Sequence, residues 1–257
     1  MTAAAKLTGI VLRTVDTGEA DRVVTLLTRE RGKVAAFARA ARASRRRFGG
    51  SLEPFTLVAA EVRERPGAEL LGLESVSPLH AFGGIRGDLA RIACAAYAAE
   101  LARELVRDHE PHPDLFDLLE AYLGALDRGP ARPAGLRAFE LGALRAAGLA
   151  PRLDACARCG AELARAPPIR LDPGHGGALC AACVPFASPA APRVGPATLA
   201  ALRRLADGGL AAAAAEPLAP PPGREARDAL AAFLEHQLGH RLAARKFLDE
   251  VGSHLGD

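Results

Sequence analysis

Four of the five cysteines of this 257-residue chain fall within one short segment, Cys156-Ala-Arg-Cys159-Gly160 and Cys180-Ala-Ala-Cys183, with twenty residues between the pairs. Two C-x2-C turns at that spacing can aim four thiolates at one point, the arrangement of a structural zinc site with metal–sulfur distances of about 2.3 Å. Gly160 lets the backbone curl behind the first pair. Ile169 to Asp172 reads as a short strand, Pro173 to Gly177 as a turn, and Ala178-Leu179 as a strand delivering Cys180. A thioredoxin-like pair would need one C-x2-C inside a βαβ pattern, which is not seen here. No secretory leader is expected, since no long apolar run follows Met1–Lys6, so disulfides are the weaker reading. The expected cofactor is therefore one structural Zn2+ held by Cys156, Cys159, Cys180 and Cys183. Four protein ligands close the coordination sphere and leave no place for a substrate water. His175 is read as a turn residue.

From Thr8 to Ser77 the sequence changes character. Five β-rich runs follow one another: Gly9–Val15, Arg22–Thr28, Lys33–Arg39, Phe55–Arg63 and Leu70–Val76. Breakers separate them at Asp16-Thr17-Gly18, Glu30-Arg31-Gly32, Gly49-Gly50 and Arg65-Pro66-Gly67. Five short strands at this spacing predict a small barrel, with an OB-fold as the best match and an SH3-like barrel as the rival.

Charge is concentrated in the same third. Arg29, Arg31, Lys33, Arg39, Arg42, Arg45, Arg46 and Arg47 face only Glu30, a local balance of +7 against +3 for the whole chain. One-sign clustering of this density disfavours the compact state unless a polyanion meets it. The bland alternative is a solvated loop that serves solubility. Residues 40–50 are expected to form a mobile cationic loop that binds phosphates, with Lys33, Arg39, Arg42, Arg45, Arg46 and Arg47 as the DNA contacts. Six neutralised phosphates on single-stranded DNA predict a loss of affinity of about 300-fold between 50 and 200 mM salt. Phe48 is the expected stacking residue and Phe37 is assigned to the core. Tryptophan is absent and aromatics make up 4% of the chain, so few stacking candidates exist.

After a connector at Pro78–Gly84 the pattern becomes helical. Cys94, Tyr97, Leu101 and Leu105 mark one helical stripe, and Cys94 reads as a small buried hydrophobe. Pro113 and Pro133 open two further helices, the second ending at Gly148. Thr198–Leu205 reads as a short helix, Asp207–Gly223 as linker, and Glu225–Val251 as one long final helix. The domain expectation is thus a barrel over residues 1–80 and a helical domain over 81–257, with a zinc module over 151–188 inserted in it: an α+β chain. No apolar run of about 18 residues is present, which excludes an ordinary membrane-spanning helix; a cytoplasmic, nucleoid-associated location is expected. His236-Gln-Leu-Gly-His240 lacks the glutamate of a zinc-protease helix. No nucleophile elbow or Walker loop occurs, so an enzyme is not expected.

Several segments taken in order resemble the bacterial RecO family of DNA repair and recombination mediators. They are Gly9-Ile-Val-Leu-Arg13, Gly18-Glu-Ala-Asp-Arg22, Leu26-Leu-Thr28, Gly32-Lys-Val34, Leu52-Glu-Pro-Phe55, Phe139-Glu-Leu141 with Gly148-Leu-Ala-Pro151, the first cysteine pair, and Leu238-Gly-His-Arg-Leu242 with Lys246-Phe-Leu248. The resemblance implies an N-terminal OB-fold and a helical C-terminal domain. It implies binding of single- and double-stranded DNA, annealing of complementary strands, and assistance to RecA loading on DNA covered by single-strand-binding protein (SSB). The implied partners are RecR and the C-terminal tail of SSB. The family's basic OB-face residues map onto Lys33, Arg39 and Arg42. Ala244 stands where many members carry serine. A zinc-containing adaptor that touches no nucleic acid, and an RNA-directed barrel, are the competing functional readings.

Overall fold

The computed structural model describes residues 4–64, 67, 69–163 and 168–251, and all their side chains except that of Arg45. Two compact units divide between Gly129 and Pro130.

In the first unit, β1 (Ala4–Thr17), β2 (Asp21–Thr28), β3 (Gly32–Ala38), β4 (Leu57–Arg63) and β5 (Leu71–His80) close into a barrel in the order β1-β2-β3-β5-β4. The β3–β5 pair is parallel and β4 pairs antiparallel with β1, which is the OB-fold order and removes the SH3-like rival. Alternation sets the inner face: Val34, Ala36 and Ala38 are buried while Lys33, Ala35 and Phe37 alternate outward. In β1 that alternation breaks. Ile10, Val11 and Leu12 are all buried, because a bulge between Val11 and Arg13 inserts Leu12 and turns Arg13 and Val15 outward. The breaker at Arg65-Pro66-Gly67 lies largely outside the described residues.

Between β3 and β4 lies α1 (Arg45–Phe48), a single turn where the sequence predicts a mobile loop. Phe48 and Leu52 from this connection enter the barrel core, each 2% exposed. Apolar burial thus pins the segment despite Gly49 and Gly50.

Helices α2 (Leu89–Leu105) and α3 (Pro113–Arg128) belong to the same unit as the barrel. Asp88 caps α2 by accepting the Arg91 N–H at 2.9 Å. The segment between α2 and α3 is clasped to β3. The His109 N–H donates to the Lys33 carbonyl at 2.8 Å, and a Cβ at Gly32 would stand 1.8 Å from the Glu110 carbonyl oxygen. Gly32 also has φ +65°, so both the turn and the close approach require glycine.

The second unit holds α4 (Pro133–Ala146), α5 (Pro196–Ala215), α6 (Pro222–Leu238) and α7 (Ala243–Val251), with a cysteine-bearing module between α4 and α5. Two expectations need correction here. Residues 207–215 are helical, not linker: α5 runs through them with a kink at Gly209, where φ is +55°. The last helix is not continuous. Gly239 at φ +76° terminates α6, and α7 starts afresh at Ala243, so His240 lies beyond the helix that carries His236. Glu225 on α6 accepts from the Gly195 N–H at 2.8 Å and from Thr198 Oγ1 at 2.5 Å, capping α5 from a distance. Among the described residues no helix is long and apolar enough to cross a membrane.

Candidate nucleic-acid interface and metal centre

The eight cations between Arg29 and Arg47 separate into two groups. Arg29 forms a bidentate pair with Asp117, and Arg31 pairs with Glu64. Lys33 lies 3.2 Å from Asp108 and donates to the Arg103 carbonyl at 2.8 Å, with its side chain only 17% exposed. Arg29 and Lys33 tie the barrel to the helical part of its unit, and Arg31 ties the β2–β3 turn to the end of β4. The expectation that Lys33 presents its ammonium to DNA meets this geometry: the charge is engaged internally.

Arg39, Arg42, Arg46 and Arg47 differ. None has a carboxylate within ion-pair distance among the described residues. Arg42 donates to the Glu19 carbonyl at 3.1 Å, and Arg47 donates to the Arg39 carbonyl at 2.8 Å and to Ser44 Oγ at 3.1 Å. The Arg47 guanidinium also lies over the Phe48 ring, 5.0 Å from its centroid. Carbonyl and hydroxyl acceptors orient guanidiniums without cancelling their charge, so the positive field stays available to a phosphate. Arg39, Arg42 and Arg46 are exposed and Arg47 is half-buried. The Arg45 side chain lies outside the described atoms.

The two phenylalanines exchange their expected roles. Phe48 is core, as above, because α1 turns it into the barrel. Phe37 is half-exposed on the outer face of β3. The register places Val15 opposite Val23 and Val23 opposite Phe37, so the three form one row across β1, β2 and β3. Val15 is 40% exposed. Arg13, Thr25 and Ala35 form the adjacent row. An apolar strip with one aromatic ring, bordered by Arg13 on one side and by the Arg39–Arg47 cluster after β3 on the other, has the make-up of a surface for unpaired bases and their phosphates. Sequence reading missed this row, because the bulge at Leu12 hides the outward phase of Arg13 and Val15. The alternation in β3 alone places Phe37 with Lys33 and Ala35.

In the second unit the four cysteines converge. Their sulfurs all lie within 4.8 Å of one another, and Cys159 and Cys180 stand 3.7 Å apart. A tetrahedron with metal–sulfur bonds of about 2.3 Å has edges of about 3.8 Å, so the sulfurs already outline one. Each pair sits on a tight turn: the Gly160 N–H donates to the Cys156 carbonyl at 2.9 Å and the Cys183 N–H to the Cys180 carbonyl at 2.8 Å. Gly160 has φ +75°. Between the pairs, β6 (Arg170–Asp172) and β7 (Gly177–Leu179) form the expected hairpin.

Thiol chemistry supports a metal here. Burial raises the Cys156 thiol, yet the N–H groups of Cys180, Cys159 and Arg158 outweigh it and bring the thiol down to about 6. Burial first, and then the neighbouring thiols, push Cys183 up to about 12. A divalent ion that binds thiolates would meet all four sulfurs at one point. Cys156, Cys159, Cys180 and Cys183 fit such an ion; bound there, it would cross-link the two turns. The hairpin loop is held separately by Asp172, fully buried, which accepts from His175 Nδ1 at 2.6 Å, the Ser188 N–H at 3.1 Å, the Gly174 N–H at 3.2 Å and the Ser188 hydroxyl. His175 is thus a turn residue, as read from the sequence.

A pocket in the same unit is lined by Leu136, Leu218 and Leu248 with Arg224, Arg227, Arg245 and Asp249; Arg245 is buried and pairs with Asp249 at 2.9 Å, and Arg227 pairs with Asp228 at 2.9 Å.

A family model described as Recombination protein O N terminal matches residues 1–82, and one described as Recombination protein O C terminal matches residues 86–246. A protein named DNA repair protein RecO from Anaeromyxobacter dehalogenans is 73% identical over 98% of both chains. The protein of that name from Myxococcus xanthus is 47% identical over 95% of this chain and 96% of its own. That from Geobacter sulfurreducens is 43% identical over 70% of this chain and 73% of its own.

Proposed function

The chain belongs to the RecO family of DNA repair proteins, and from that premise we propose that it is a recombination mediator that binds single- and double-stranded DNA on its barrel and anneals complementary strands. The observation that carries this reading is the group of four guanidiniums that have no acid partner among the described residues, next to the Val15–Val23–Phe37 row. Two DNA strands repel through their phosphates. Arginines that keep their charge lower that repulsion, while the apolar row holds bases unstacked from their own strand and open to pairing. No bond is made or broken. The four thiolates hold a structural zinc ion that maintains the second unit and takes no part in the DNA contact.

The same family reading carries the partners. The chain acts with RecR to assist RecA loading on DNA covered by SSB. The leucine-lined pocket beside Arg224 is the proposed seat of the acidic SSB tail.

A strand-annealing assay with the zinc-loaded full chain tests the reading. Complementary oligonucleotides anneal faster with the protein, and the acceleration disappears as salt rises. A chain that shifts no oligonucleotide at low salt would instead be the adaptor that touches no nucleic acid. Competition between matched DNA and RNA strands separates the RNA-directed reading, and preference for RNA would refute ours.

A further inference from the structure

The four sulfurs are unequally protected. Cys156 is fully buried and Cys183 is 4% exposed, whereas Cys159 is exposed and Cys180 half-exposed. The Cys156 sulfur also accepts the Cys180 N–H at 3.4 Å. At the Cys183 corner, the Arg158 guanidinium approaches the sulfur at 4.0 Å and lies 3.6 Å from the centroid of the Phe186 ring. Burial shields a thiolate from an oxidant, and exposure makes it faster to oxidise. The two accessible sulfurs come from different turns and stand 3.7 Å apart.

We propose that the metal centre is also an oxidation site, at which a hydroperoxide attacks Cys159 and Cys159 then closes on Cys180 as a disulfide that joins the two turns and releases the metal. This rests on the reading of the four thiolates as a zinc site. In the first step the Cys159 thiolate attacks the peroxide O–O bond. A sulfur–oxygen bond forms, the O–O bond breaks, and the departing alkoxide takes a proton from solvent. Cys159 is then a sulfenic acid. In the second step the Cys180 thiolate attacks the Cys159 sulfur. The sulfur–sulfur bond forms, the sulfur–oxygen bond breaks, and hydroxide leaves with a second solvent proton as water. In sum, two thiolates, one hydroperoxide and two protons give one disulfide, one alcohol and one water. Sulfur loses two electrons and the peroxide gains them. A disulfide bond of about 2.05 Å requires the sulfurs to approach by about 1.7 Å, within reach of two turns no longer held by a metal. The pairing cross-links the segments the metal had joined, so the module keeps a reversible covalent closure in place of the ionic one.

The test uses the full chain loaded with zinc and treated with hydrogen peroxide. Zinc release is read with a chromophoric chelator and disulfides by peptide mapping. Trypsin cuts after Arg158 and so separates Cys156 from Cys159; fragmentation between Cys180 and Cys183 completes the assignment. The expected result is one zinc released per disulfide formed, with the Cys159–Cys180 linkage predominant. Indiscriminate oxidation of four cysteines would give each of the six pairs about one sixth of the product. An even distribution, a predominant pair other than Cys159–Cys180, or disulfide formation without zinc release overturns the inference. Phe186→Ala, which alters no ligand, is expected to bring Cys183 into the products; an unchanged distribution overturns the shielding argument and the selectivity built on it. A chain that takes up no zinc overturns the metal reading and this inference together. A chain that holds zinc but pairs otherwise overturns this inference alone.

Discussion

The salt dependence of single-strand binding follows from how many guanidiniums remain unpaired. Counting charges in the sequence gives six contacts. Lys33, whose ammonium is 3.2 Å from Asp108, is set aside, which leaves Arg39, Arg42, Arg46 and Arg47 among the described side chains, and Arg45 from the sequence. Five neutralised phosphates give a slope of log affinity on log salt of about −3.5 for single strands, a loss of about 130-fold between 50 and 200 mM rather than about 300-fold. The double variant Arg46→Ala/Arg47→Ala should flatten the slope to about −2.1, a loss of about 18-fold over the same range. Lys33→Ala should leave the slope in place and lower thermal stability instead, because it removes the contacts to Asp108 and the Arg103 carbonyl. Fluorescence anisotropy of a labelled oligothymidine, titrated at five salt concentrations, measures all three slopes. A double variant with the parental slope, or a Lys33 variant that flattens it as much, refutes the division of these cations.

Phe37→Ala should weaken single-strand binding by about 1–3 kcal/mol at every salt concentration without changing the slope, since stacking is not ionic; the same titrations check it. Asp172 accepts four hydrogen bonds, which hold its carboxyl below its ordinary value of 3.8 against the burial that would raise it. A depressed folded value means that the contribution to stability is complete above the unfolded pKa and is lost as pH falls through the folded one. Asp172→Ala should therefore cost the second unit about 1–3 kcal/mol near neutral pH, and the gap from the parent should narrow below about pH 4; thermal melts across pH measure both. Removal of the metal with a chelator should abolish the melting transition of the second unit, since a structural zinc site contributes about 10–16 kcal/mol against a net domain stability of about 5–15 kcal/mol. The barrel unit should retain its own transition and its oligonucleotide binding.

The convergence of the four cysteines was the most legible part of the sequence, because C-x2-C spacing is a local property and Gly160 supplies the left-handed residue that the first turn needs. The five strands were equally readable from alternation and breakers, and Pro113 and Pro133 marked helix starts that the structure keeps. What the sequence hid depends on tertiary neighbours. Whether Lys33 is free is decided by Asp108, seventy-five residues away. Whether Phe37 or Phe48 faces solvent depends on α1 turning Phe48 into the barrel, and a four-residue helix leaves no periodicity to read. Asp207–Gly223 looked like linker because alanine marks no face, yet α5 continues through it as far as Ala215. The one long final helix was a misjudged Gly239, whose positive φ ends α6. Family resemblance supplied the functional class; it did not supply the outward row on β1, β2 and β3.

The proposed DNA binding requires unpaired bases to lie against that outer barrel face. Photocrosslinking of a bromouracil-substituted single strand to the full chain, followed by tryptic mapping, reads the contact directly. The predicted adduct lies on the Val34–Arg39 peptide, at Phe37. Adducts confined to residues 130–257 would contradict the account.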